Sequence, residues 1–217
     1  MKVTLTFDNG PDPSGTTRFV LDCLRDRKLP STFFITGQNL QIPSALALAQ
    51  RAHDEGHWIG NHTQTHSVMF GESRDPNDVL YEIGEAQRRI GALATPDKLF
   101  RPFGGGGALD RRLLSAAAVR YLVEHRFSCV LWNSVPKDWE GKREWVSRCM
   151  RDVETSEWSV VVLHDLPTGG MDYLSVFLDS LDAVGAEITQ GFPPNCVPIR
   201  RGEIVGPLSH LMPERLA

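Results

Sequence analysis

The feature that most constrains this chain is a near-continuous alternation of short β-rich runs with stretches of helical periodicity. Lys2–Phe7 has the apolar, β-branched character of a strand. Thr16–Lys28 follows, with Phe19, Val20, Cys23 and Leu24 recurring at helical spacing. The same reading places strands at Ser31–Ile35, Trp58–Gly60, Leu99–Pro102, Ser128–Trp132 and Val160–Leu163, with a closing strand at Glu187–Thr189. Helices are expected from Ser44 to about Glu55, from Asp75 to about Leu93, from Asp110 through Val123, over Lys142–Val153 and over Tyr173–Val184. Ser44, Asp75 (followed by Pro76) and Asp110 are the residue types that cap helix starts. Strands that alternate with helices run parallel and are joined by right-handed crossovers, so the fold class is α/β, a sheet or a barrel.

Composition narrows the partners. The 217 residues suit one core, and a formal net charge of -4 argues against a general polyanion binder, nucleic acid included. No apolar run approaches the roughly 20 residues that span a bilayer. The opening MKVTLTFDNGPDP has an acidic residue and turn formers where a signal peptide carries its apolar stretch, so the expected location is cytoplasmic. Cys23, Cys129, Cys149 and Cys196 are far apart and form no CxxC pair; they read as reduced, mostly buried thiols.

In parallel α/β folds chemistry collects at the carboxyl ends of strands, and the unusual polar residues fall there. The first strand delivers Asp8 and Asn9, the third His62 and His66, and the fourth Arg101 and the run Gly104–Gly107. The fifth leads to Asp138 and Trp139, and the sixth ends on His164. On a helical turn the spacing of His62 and His66 puts both imidazoles on one face, as a metal pair or as an ordinary surface pair. Thr63 stands where a zinc protease has its general base, so that chemistry is excluded. Asp8-Asn9-Gly10-Pro11 is good turn chemistry, and also places a carboxylate beside any metal held at the histidines. The glycine run is a flexible loop or a bare backbone N–H offered to an oxyanion; it matches no phosphate-binding pattern.

Read in order, TFDNGP (Thr6–Pro11), STFFITG (Ser31–Gly37), EGHWIGNHTQTH (Glu55–His66), FRPFGG (Phe100–Gly105), KDW (Lys137–Trp139) and VVLH (Val161–His164) resemble the polysaccharide deacetylase family, the nodulation-type carbohydrate esterases. The resemblance runs from about residue 2 to about residue 190. It implies a single-domain distorted (β/α) barrel over residues 1–192. Residues 193–217, turn-rich and basic at Arg200-Arg201, read as a tail that packs on that domain or on a second copy in a homo-oligomer.

It also implies a metal-dependent hydrolase of a non-peptide C–N bond, an N-acyl and above all N-acetyl amide on an amino sugar or a small amide substrate. By motif, Asp8 is the implied base, Arg101 the residue that orients it, His164 the general acid and Asp138 its partner. Asn9, His62 and His66 are the implied ligands of a divalent metal, Zn²⁺ with Co²⁺ or Ni²⁺ as alternatives; Trp139, Phe103 and Gly104 shape the substrate groove. The chain departs from the family at three places. Asn9 replaces the metal-binding aspartate, Val135 the first aspartate of DxxDW, and Phe103-Gly104 the usual Pro-Tyr. Asn9 and Val135 motivate the alternative of a weakened or inactive carbohydrate-binding module on the same scaffold.

Overall fold

Seven residues of alternating character, Lys2–Asp8, form the strand (β1) around which the rest is arranged. Val3, Leu5 and Phe7 face outward into the main hydrophobic cluster, and Thr4, Thr6 and Asp8 face the opposite way, as the two-residue period of a strand requires. The structure, a computed structural model, describes residues 1–213.

β1 pairs in parallel with β2 (Thr32–Ile35) on one side and with β6 (Trp158–His164) on the other. Beyond β2 the sheet continues in parallel through β3 (Trp58–Asn61), β4 (Leu99–Phe100) and β5 (Ser128–Cys129). The short β7 (Glu187–Ile188) pairs with the start of β1. Past β5 the sheet curls back, and Ser134 makes a parallel bridge to Val161 of β6. The result is an α/β half-barrel in a single domain.

Among the described residues six α-helices cover the outside: α1 (Thr16–Arg27), α2 (Pro43–Asp54), α3 (Ala86–Ile90), α4 (Ala116–Glu124), α5 (Glu144–Thr155) and α6 (Leu174–Ala183). Val20, Leu21 and Leu24 of α1 and Phe177 and Leu178 of α6 pack against the outer face of β1. Each such fully buried side chain is worth about 1.5–3 kcal/mol of transfer free energy.

The elements fall where their periodicity puts them, with local corrections. Ser44 does not cap α2: Pro43 occupies the first turn and the cap position is Ile42. Asp110 does not open α4 either; it closes a turn by accepting from the Arg112 N–H, and Ser115 caps the helix by accepting from Ala118 N–H. The helix expected from Asp75 contains a π-helical turn at Leu80–Glu85 before α3. The tail is not merely a cover. Its β8 (Ile199–Arg200) pairs antiparallel with β5 and then with β9 (Glu203–Ile204), extending the sheet. The last four residues of that tail lie outside the described residues. All four cysteines are free and buried. Among the described residues no helix is long and apolar enough to cross a membrane.

Candidate active site

The parallel register brings the strand-end residues together. Asp8 at the end of β1 lies directly across from His164 at the end of β6, and β3 and β4 end side by side at Asn61 and Phe100, each one residue before His62 and Arg101. Asp8, Asn9, His62, His66 and His164 all line one cavity of about 230 Å³.

Arg101 enters the barrel interior, where no water reaches it. The inward-facing hydroxyl and carboxylate of β1 give it partners: Nη1 donates to Thr6 Oγ1 at 2.7 Å and to Asp8 Oδ1 at 2.8 Å. Nε donates to the Val130 carbonyl, and the guanidinium carbon sits 4.0 Å over the ring of Phe34. Burial pulls the Arg101 pKa below the ordinary arginine value and the Asp8 carboxylate opposes it. One Asp8 oxygen is thereby occupied, and the other, Oδ2, faces His62.

His62 and His66 do not share a helical turn. They flank a loop after β3 in which Thr63 (φ 64) and His66 (φ 56) adopt the left-handed conformation. For a β-branched residue such as Thr63 this costs about 1–2 kcal/mol, so surrounding bonds must hold it. Asn61 Oδ1 accepts from Thr63 N–H, and Thr63 Oγ1 accepts from His66 N–H. The two rings end 4.7 Å apart, so the loop achieves the proximity expected of a helix by a different route.

Both histidines are neutral near pH 7. Burial pushes each pKa down to about 3, helped for His66 by the adjacent His62. The Arg101 carbonyl lies 2.9 Å from His62 Nδ1, which must therefore donate to it, and this leaves the Nε2 lone pair exposed to the site. That lone pair faces Asp8 Oδ2 at 3.5 Å, acceptor against acceptor. Asn9 Oδ1 is also buried with no hydrogen-bond partner. Among the described residues no three His, Cys, Asp or Glu side chains form a metal cluster; the two imidazoles and Asn9 line the same cavity. Opposed lone pairs and an orphaned amide oxygen on one cavity fit a divalent cation.

On the opposite wall Asp138 binds His164 twice. Oδ2 accepts from the His164 backbone N–H at 2.8 Å and Oδ1 lies 2.9 Å from Nδ1. Burial alone would lower the His164 pKa, but the hydrogen bond and charge of Asp138 outweigh it and raise the value above 6.5. Trp139 stands edge-on to His164 at 5.1 Å, and Phe103 edge-on to His66 at 4.4 Å.

The remaining cavity wall is apolar and holds residues that sequence patterns did not single out: Trp132, Val162 and Leu166. A Cβ on Gly104 would fall 2.5 Å from the Trp132 ring, so the indole fills the space a side chain at 104 would need. Trp132 Nε1 donates to the Gly107 carbonyl and ties the glycine loop to this wall.

Two buried carboxylates were also missed. Asp165 accepts from the Thr17 hydroxyl, its Oδ1 is unpartnered, and burial raises its pKa to about 6. Glu82 bonds the loop between the two histidines. Its signal was a charged residue three after Val79 and four before Ala86, on the buried helical face.

Comparison with known proteins agrees with this geometry. The polysaccharide deacetylase profile matches residues 1–121. A peptidoglycan-N-acetylglucosamine deacetylase of Bacillus cereus is 32% identical over 176 residues, 78% of this chain and 74% of that protein. A chitooligosaccharide deacetylase of Rhizobium leguminosarum bv. phaseoli is 32% identical over 167 residues, covering 74% of this chain and 66% of that protein. The family 4 carbohydrate esterase of Streptomyces lividans, solved with acetate, superposes with a TM-score of 0.71 at 26% identity over 95% of this chain and 97% of that one. The chain therefore belongs to the polysaccharide deacetylase family, hydrolases of carbon–nitrogen bonds other than peptide bonds.

Proposed function

We propose that this protein hydrolyses the N-acetyl amide of an amino sugar, with Asp8 as general base and His164 as general acid on opposite sides of one cavity. The observation that carries the reading is that pairing of these two residues across β1 and β6, each held by its own buried partner.

His62, His66 and Asn9 would hold a divalent metal, Zn²⁺ with Co²⁺ or Ni²⁺ as alternatives. Such an ion supplies positive charge to the acyl oxygen and acidity to a water molecule. The chain's own groups do the rest. Asp8, with Oδ1 fixed by Arg101, has Oδ2 free to take the proton of the attacking water. Gly104 lines the cavity wall, and its backbone N–H would meet the developing oxyanion. His164, kept protonated by Asp138, gives its proton to the departing amine. Trp139 and Phe103 line the cavity and supply aromatic surface for the sugar.

A cavity of about 230 Å³ suits one N-acetylated sugar unit at the reaction centre. The named substrates of the relatives, peptidoglycan N-acetylglucosamine and chitooligosaccharides, share that unit. The test is deacetylation of N-acetylglucosamine oligomers after loading with Zn²⁺, Co²⁺ or Ni²⁺. Acetate release that disappears in His164→Ala supports the reading, and release unchanged by that substitution overturns it. Asn9 motivates a second reading, a carbohydrate-binding module without turnover. Saturable oligomer binding with no acetate release under every metal would favour it.

Residues 193–213 are proposed as an integral part of the same domain, since the Leu131 N–H donates to the Cys196 carbonyl and the Leu114 N–H to that of Leu211. Arg201 pairs with Asp97 of the same chain.

A further inference from the structure

The loop that presents His62 and His66 is held from outside by a carboxylate with no place in the chemistry above. Glu82 lies in the π-helical turn Leu80–Glu85 and is 1% exposed. Its Oε2 accepts from the backbone N–H groups of Gln64 and Thr65 at 3.0 and 2.9 Å, and its Oε1 from the Thr65 hydroxyl at 2.6 Å. These donors belong to Gln64 and Thr65, two of the three residues between the two histidines.

The same helical turn makes a second connection. The Ile83 carbonyl accepts from Asn61 Nδ2, and Asn61 Oδ1 accepts from Thr63 N–H. On the other side, Gly37 and Gln38 donate their N–H groups to the carbonyls of Thr63 and Gln64. Gly37 must lack a side chain there, because a Cβ would fall 2.3 Å from Gln64 Oε1 and 2.8 Å from the Ala86 backbone. The loop is clamped between two elements, and Glu82 is the carboxylate that binds its N–H row.

We propose that Glu82 is a positioning residue for the metal ligands: by gathering three donors between His62 and His66 it holds both imidazoles at ligating separation without touching the metal or the substrate. The inference rests on the reading that His62 and His66 hold the cation. The mechanism is the removal of alternatives. Thr63 and His66 are in left-handed conformations that a free loop leaves readily, and a charge-assisted bond to each neighbouring N–H makes leaving costly. A weakened clamp spreads the ring separations and lowers affinity for the ion, while the groups that move protons stay where they are.

The experiment measures Zn²⁺ dissociation constants by competition with a chromophoric chelator, for the full chain and three variants. Glu82→Ala should weaken Zn²⁺ by about 10–100-fold, the range seen when outer partners of metal ligands are removed. Glu82→Gln, which keeps an acceptor oxygen, should recover most of that loss. Thr65→Val, which removes one of the three bonds, should fall between wild type and Glu82→Ala; it also serves if Glu82→Ala does not fold. At saturating Zn²⁺ the kcat of each folded variant should stay near wild type, which distinguishes positioning of the ligands from damage to the catalytic groups. Hydrogen exchange of the Gln64 and Thr65 amides in chelator-treated protein should accelerate in Glu82→Ala. Equal Zn²⁺ affinity in wild type and in the folded variants overturns the inference alone. A wild-type protein that takes up no Zn²⁺, Co²⁺ or Ni²⁺ overturns the metal reading and the inference with it.

Discussion

Arg101 Nη1 lies 2.8 Å from Asp8 Oδ1, and neither side chain has meaningful contact with water. This pair ties the end of β1 to the end of β4 through the barrel interior and fixes which Asp8 oxygen faces the cavity. Breaking a buried ion pair by removing one partner strands the other charge. Arg101→Met should therefore destabilise the fold by about 3–5 kcal/mol and abolish activity. Urea unfolding of the metal-free protein checks this, and a loss below about 1 kcal/mol would contradict it.

His164 and Asp138 set the alkaline side of the pH profile. His164→Ala should lower kcat by about 10²–10⁴-fold. In Asp138→Asn the hydrogen-bonded counter-charge is gone and only the more distant charges of Asp8 and Asp165 oppose burial, so the alkaline limb of kcat should move to lower pH. The stability the pair contributes is full below pH 6.5 and fades as pH rises through the raised folded value; Asp138→Asn should remove that dependence. A pH–rate profile that does not move would sink this assignment.

Asn9 Oδ1 is a neutral donor in a buried position without a partner. If Asn9 is a ligand, Asn9→Asp adds a negative charge to the ligand set and should tighten Zn²⁺ binding by about tenfold or more, equivalent to roughly 1.4 kcal/mol. The side chain sits at φ 73, which Asp tolerates as well as Asn does, so the backbone should not shift. Chelator competition reads the change, and weaker binding in the variant would argue against Asn9 as a ligand.

Gly104 and Trp132 are a coupled pair. Gly104→Tyr forces a Cβ to 2.5 Å from the indole, so the single variant should lose both stability and activity. Trp132→Phe combined with it should recover part of both, because the smaller ring vacates that space. Additive losses in the double-mutant cycle would disprove the coupling.

Asp165 is a buried acid whose pKa rises from 3.8 to about 6. The folded state keeps its proton over that interval while the unfolded state gives it up, so stability should fall as pH rises from about 4 to 6. Above pH 6 the cost is on the order of 3 kcal/mol. Asp165→Asn should flatten this dependence and raise Tm at pH 8. An unchanged Tm against pH curve would show that the carboxyl does not carry it.

Sequence patterns alone determined the α/β class, the helix and strand order and the strand-end residues Asp8, His62, His66, Arg101, Asp138 and His164. They are local or follow from one rule of parallel folds, that loops leave from the carboxyl ends of strands. What only the tertiary structure decided is how those residues pair. His62 and His66 looked like neighbours on a helix, yet a left-handed loop brings them together, held by Asn61 and by Glu82 from a different element. The tail read as packing on the domain or on a second copy; its β8 and β9 extend the sheet. Trp132 filling the space beside Gly104, and Asp165 buried against Gly10, are likewise contacts between residues far apart in the chain. Periodicity records which face of an element is buried. It does not record which distant side chain meets it there, because that depends on sheet curvature and crossover packing, which no short segment contains.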